Sequence, residues 1–322
     1  MHRPPTAVSL AALAGIALFL SGCGQAANAT LAESSPDPAQ ERLSVVATTS
    51  VYGDLAKTIG GDRVHVTSII SGTSQDPHSY EPTPQDKLAL SKADLAIGNG
   101  GGFDPFFDTI TKDSGISQDR ILHAFDVAGV EGGGESPTQG HTAEDAQTEI
   151  NEHVWYNMSA ASRIADEIAT RLGAVDPEGA AVFADNANKF TSDTAAITDK
   201  LTVIKTRHGG EGVALTEPLP LYILEAAGLE NRTPEDFLEA AEEGSDVPAD
   251  ALKSTVDLVS STDVRFLAYD AQTSTPQTEA VRKAAEAANL PVVNFTETLP
   301  EGKTFVQWMN ENADNIESAL RR

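Results

Sequence analysis

One cysteine in 322 residues, Cys23, excludes an internal disulfide and any thiolate metal site. Positive charge is scarce as well, with 22 lysines and arginines against 48 acidic residues and a net charge of −26. Such a chain repels phosphate backbones and anionic lipid surfaces, so nucleic acid is not an expected partner, whereas cations are concentrated near its surface. The longest apolar run, residues 7–20, is too short for a comfortable membrane span. Phosphate-loop chemistry is missing too. The segment Gly98-Asn99-Gly100-Gly101-Gly102 has no third glycine at dinucleotide spacing and no Gly-Lys-Ser/Thr ending, so it reads as a tight turn. No His-Glu-x-x-His helix is present to suggest a metalloprotease.

At the N-terminus, Arg3, the apolar stretch and Leu20-Ser21-Gly22-Cys23 have the layout of an export signal over residues 1–22. Leu20-Ser21-Gly22-Cys23 resembles the bacterial lipobox, in which the cysteine is lipidated and begins the mature chain. Residues 23–41, rich in Ala, Ser, Asn and Pro without hydrophobic periodicity, read as a flexible lipidated tether. The remaining chain exceeds what one core usually organises, so two lobes are expected.

From Arg42 onward short β-branched runs alternate with helical stretches, which implies an α/β fold with a doubly wound parallel sheet. Strands are expected at 43–48, 64–70, 94–98 and 121–125, with helices at 52–59, 85–91 and 105–111 between them. Residues 128–152 break the alternation with glycines, six acidic residues and a single histidine, His141, and read as a surface loop. A helix over 157–172 follows, then one of roughly 178–205 with Phe183, Phe190, Ile197, Leu201 and Ile204 on one face. Beyond Gly209-Gly210 the alternation resumes, with strands at 212–215, 264–269 and 291–295 and a last helix at 303–320. The expected organisation is an N-terminal lobe over 42–175, a connecting helix over 176–206 and a C-terminal lobe over 207–322.

Ligands in open α/β sheets bind beyond the carboxyl ends of the strands, which makes the polar residues there the candidates. His78 follows the second strand in a loop stiffened by Pro77, Pro82 and Pro84, with Thr83 placed to cap the next helix and Pro84 at its first position. His153 closes the acidic loop in Asn151-Glu152-His153-Val154-Trp155. Glu217 follows the first strand of the second lobe, and Asp270 a later one. Each has an ordinary alternative: a surface histidine for His78, a partly buried core histidine for His153, helix or turn caps for Glu217 and Asp270. Together, two imidazoles and two carboxylates make a complete donor set for one divalent first-row cation.

At these residues the chain resembles the metal-binding solute-binding lipoproteins of bacterial ABC importers for zinc and manganese, the cluster A-I proteins. The resemblance rests on Asp76-Pro77-His78-Ser79-Tyr80-Glu81-Pro82-Thr83-Pro84, Gly102-Phe103-Asp104, Asn151-Glu152-His153-Val154-Trp155, Thr216-Glu217-Pro218 and the long helix. It implies two lobes joined by a rigid helix, with one Mn2+ or Zn2+ carried as cargo in the cleft. It also implies a lipid anchor on Cys23 holding a monomer at the outer face of the cell membrane, an ABC permease as recipient, and no enzymatic activity. By position, His78 and His153 match the family's first-lobe ligands. Glu217 matches a position that is histidine in many zinc-binding members and glutamate in many manganese-binding ones. Asp270 lies in Tyr269-Asp270-Ala271-Gln272-Thr273-Ser274, which departs from the family's usual stretch. Zinc-binding members often carry a histidine-rich insertion where this chain has only His141, which leans toward manganese. A surface adhesin with an incidental metal site and a metallohydrolase are the competing readings.

Overall fold

The computed structural model describes residues 42–130 and 151–321. The expected export signal, Cys23 and the tether lie outside the described residues, as do His141 and most of the acidic loop.

Two four-stranded sheets organise the chain. In the first, β1 (Leu43–Thr49), β2 (Val64–Ile70), β3 (Leu95–Gly98) and β4 (Ile121–His123) lie in the order β2-β1-β3-β4. In the second, β5 (Gly212–Leu215), β6 (Glu230–Asn231), β7 (Leu267–Asp270) and β8 (Val292–Phe295) repeat that order as β6-β5-β7-β8. Every pairing is parallel. The strand ends of each sheet therefore open along one edge, with the winding reversing between β1 and β3 and between β5 and β7, where a crevice forms. Strands β3, β5 and β7 are buried throughout, as parallel strands covered by helices on both faces must be.

Element positions agree with the expectation to within a few residues, and the differences have local causes. Phe125 does not extend the fourth strand, because its N–H bonds to the Asn99 carbonyl and residues Ala124–Ala128 turn helical. Strand β6 has two exposed polar residues, too few for any periodic signal. Asp270 ends its strand instead of following it, with its N–H donating to Thr216 Oγ1 at 2.9 Å.

The connecting helix runs Ala180–His208. At 1.5 Å per residue it is about 43 Å long. Its buried residues, Phe183, Ala187, Phe190, Thr194, Ile197, Leu201 and Ile204, recur at three- and four-residue spacing and form one stripe. That stripe meets both lobes: Asn186 Nδ2 donates to the Ile59 carbonyl at 2.8 Å, while the Phe190 ring packs 5.5 Å from that of Phe305 in the last helix (Phe305–Leu320). One contiguous hydrophobic cluster runs from Val45 through this helix to Phe295. Direct bonds add to it, from Tyr156 Oη to the Thr296 carbonyl (2.8 Å) and from Gln272 Nε2 to the Gln75 carbonyl (3.0 Å). The two sheets thus share a core, and their strand-end edges are held facing each other.

Candidate metal centre

His78 is fixed before any ligand arrives. Asp76 Oδ1 accepts the His78 N–H at 2.9 Å and Oδ2 accepts the Ser79 hydroxyl at 2.7 Å, closing an Asx turn. Thr83 caps the helix Pro84–Leu90 as its sequence suggests, and Asp86 bonds back to the Thr83 N–H at 2.7 Å to complete a capping box.

His153 is set by Asn151. The Asn151 Nδ2 donates to the Pro218 carbonyl (2.9 Å), which turns its Oδ1 toward His153, where the backbone N–H (3.0 Å) and ring Nδ1 (2.8 Å) both meet it. An acceptor opposite Nδ1 places the ring proton there and leaves a lone pair on Nε2. That Nε2 is buried and has no hydrogen-bond partner. The Phe103 ring stands edge-on to both imidazoles, 5.1 Å from His78 and 5.7 Å from His153. Burial in this aromatic wall pushes His153 down to about 3, with nearby His78 adding to the shift. Burial lowers His78 as well. Both imidazoles are therefore neutral donors at physiological pH.

The second lobe brings carboxylates. Thr273 Oγ1 lies 2.7 Å from Glu217 Oε1 and 2.8 Å from Asp270 Oδ2. A hydroxyl has one proton to give, so one of these two carboxyls carries a proton of its own. Burial and the adjacent Asp270 charge push Glu217 well above the usual range, which makes it the protonated member. The other Asp270 oxygen, Oδ1, accepts the Gln272 N–H at 2.7 Å, so both of its oxygens are engaged locally.

Glu297, just past β8, was not among the residues singled out from the sequence. Its side chain is 1% exposed, Oε1 lies 3.7 Å from His78 Nε2, and Oε2 has no hydrogen-bond partner. Burial, then Asp270, Asp76, Glu152 and Glu242, push it up to about 9. The signal that finds it is the strand-end rule used for the others, since 291–295 already reads as a strand. Glu152, which the sequence places at the end of the acidic loop beside His153 without marking it as a ligand, also turns inward: Oε1 lies 3.4 Å from His78 Nε2 and lacks a hydrogen-bond partner.

Donor atoms of His78, His153 and Glu297 lie within 4.8 Å of one another, as do those of Glu217, Asp270 and Glu297. Glu297 is common to both groups. A cavity of about 530 Å³ opens onto the site, with His78, His153, Glu217, Glu242 and Glu297 in its wall; Asp270 and Glu152 stand behind that wall. Among the described residues no lysine or arginine lies within ion-pair distance of Glu152, Glu217, Asp270 or Glu297. Buried carboxylates without a countercharge cost several kcal/mol each, and they avoid that cost either by holding protons or by sharing a cation. Neutral imidazole nitrogens beside carboxylate oxygens suit Zn2+ or Mn2+.

The comparisons point the same way. A family model described as "Zinc-uptake complex component A periplasmic" matches residues 45–319. The manganese ABC transporter substrate-binding lipoprotein scaA of Streptococcus gordonii is 28% identical, with 95% of this chain and 98% of that protein aligned. The manganese ABC transporter substrate-binding lipoprotein PsaA of Streptococcus pneumoniae is 25% identical over 88% of this chain and 90% of its own. Among solved structures, ZnuA superposes with a TM-score of 0.68 at 21% identity, covering 87% of this chain and 99% of that one. The laminin-binding adhesin Lmb of Streptococcus agalactiae does so at 0.69 and 20%, covering 86% and 99%. At these identities the two structures speak for the fold.

Proposed function

The chain belongs to the zinc-uptake complex component A family, and from that membership we propose that it is the substrate-binding component of an ABC importer, capturing one divalent transition metal ion, Mn2+ or Zn2+. It hands the ion to a membrane permease and acts as a binding protein, not an enzyme. In this reading Cys23 carries a lipid anchor and the folded body works as a monomer at the outer face of the cell membrane. His78, His153, Glu217 and Glu297 hold the ion, and Asp270 orients Glu217 through Thr273. Glu297 takes the place that the sequence suggests for Asp270, because one of its oxygens accepts no hydrogen bond, whereas each Asp270 oxygen already accepts one.

One observation carries this reading. His153 Nε2 and Glu297 Oε2 are buried polar atoms without hydrogen-bond partners, and donor atoms of His153, Glu297 and His78 lie within 4.8 Å of one another. Such orphans cost roughly 1–3 kcal/mol each unless a ligand satisfies them, and a cation beside His78 satisfies both together. The long helix and shared core hold the two halves of the site in register, so capture needs little ordering. The test replaces both histidines with alanine and measures metal content after loading and desalting. The wild-type chain retains about one ion; near-stoichiometric retention by the double variant would sink the proposal.

A further inference from the structure

We propose that Glu152 supplies an additional carboxylate donor to the cation held by His78, His153 and Glu297, and that this oxygen tilts the site toward Mn2+ over Zn2+. The inference rests on the metal-capture reading above and names the cargo that reading leaves open.

Glu152 is 8% exposed, although the sequence around it has the composition of a surface loop. Its backbone is pinned from two sides, with the carbonyl accepting from Asn99 Nδ2 at 3.0 Å and from the Val154 N–H at 2.7 Å. Asn99 is held in turn by the Tyr52 hydroxyl. The carboxylate extends from this fixed point over Gly102, where the turn leaves room for it: a Cβ at Gly102 would stand 2.8 Å from Glu152 Oε2, and φ there is +113°. Two donors each about 2.1 Å from one ion at a near-tetrahedral angle are about 3.4 Å apart. Glu152 Oε1 and His78 Nε2 are separated by 3.4 Å. Glu152 Oε1 is buried and has no hydrogen-bond partner, so its lone pairs are free to meet an ion at His78 Nε2.

The charges around Glu152 point to a cation as well. Its electrostatic neighbours Glu242 and Asp104 are acidic, and no lysine or arginine among the described residues pairs with it. A dication turns that mutual repulsion into attraction. Two imidazoles and two carboxylates already complete a tetrahedral set of the kind Zn2+ favours. A fifth protein oxygen crowds that geometry and moves the site toward the higher, oxygen-rich coordination that suits Mn2+. Zinc outranks manganese in intrinsic affinity at such donors, so selection for manganese has to come from geometry.

The experiment compares Mn2+ and Zn2+ dissociation constants for the full chain, by chelator competition, in wild type, Glu152→Gln and Glu152→Ala. Loss of the donor raises the Mn2+ constant about 10- to 100-fold and changes the Zn2+ constant less than about threefold. X-ray absorption at the manganese edge loses one oxygen neighbour in Glu152→Ala. Glu152→Gln, which keeps the side chain's shape, preserves the affinity readout if the alanine variant folds poorly. An unchanged Mn2+ constant, equal changes for both metals, or an unchanged oxygen count overturns the proposal. Those outcomes leave metal capture intact, which fails only if the double histidine variant still binds.

Discussion

Metal loading should release protons from carboxylic acids, not from histidines. Both imidazoles are already neutral at pH 7, since burial holds His153 at about 3 and lowers His78. Glu297, pushed up to about 9 by burial and the neighbouring carboxylates, holds its proton at that pH. The Thr273 geometry requires another proton in the Glu217–Asp270 pair. If Glu297 and Glu217 both become carboxylate ligands, about two protons leave per ion, and about three if Glu152, at about 8, joins them. Apparent affinity should then rise about 100-fold or more per pH unit between pH 6 and 8. Calorimetric titration at pH 7 in PIPES, HEPES and Tris, whose ionisation heats differ, gives the proton count as the slope of observed enthalpy against buffer heat. A histidine-controlled site would release less than about half a proton at pH 7 and show its affinity break near pH 6.5. That result would refute the reasoning. Histidine protonation by itself would weaken loading only in acid; burial transfers control to the carboxyls and moves the window upward.

Other consequences follow from the same geometry. Glu297→Ala should weaken metal binding at least about 100-fold, whereas Asp270→Asn, which disturbs only the orientation of Glu217, should cost about 10- to 100-fold; competition titrations rank the two. The metal-free protein should lose stability as pH rises from about 5 to 9, because Glu152 and Glu297 bind protons more tightly folded than unfolded; below about 6.5 unfolded histidine protonates while buried His153 resists, which offsets part of that gain and outweighs it only below about pH 4.5. Thermal melts across pH with chelator would show a maximum near pH 4.5–5, and added metal should remove the alkaline decline. Phe190→Ala in the connecting helix should destabilise the fold by about 3–5 kcal/mol in urea unfolding, because its ring packs on Phe305 and bridges the lobes.

The alternation of β-branched runs with helical stretches was enough to read two parallel-sheet lobes and a long helix, since strand and helix periodicities are local properties of the chain. His78, His153 and Glu217 could be proposed as ligands for a related reason: strand ends can be located from pattern, and polar residues there are placed toward the crevice. Glu297 obeyed the same rule and was passed over for Asp270, which follows an equally plausible strand. Nothing local separates those two carboxylates. Tertiary packing does, by giving both Asp270 oxygens donors from Gln272 and Thr273 and leaving a Glu297 oxygen with none. Glu152 is the stronger case, because in sequence it is one acid among several, and only the approach of Gly102 and Asn99 from 50 residues upstream turns it inward. Protonation was equally beyond the sequence, since burial depth and the clustering of like charges set it, and both come from long-range contacts. Residue types and periodicity thus determined the fold and the donor chemistry, while three-dimensional packing decided which oxygens remain free and which protons must leave.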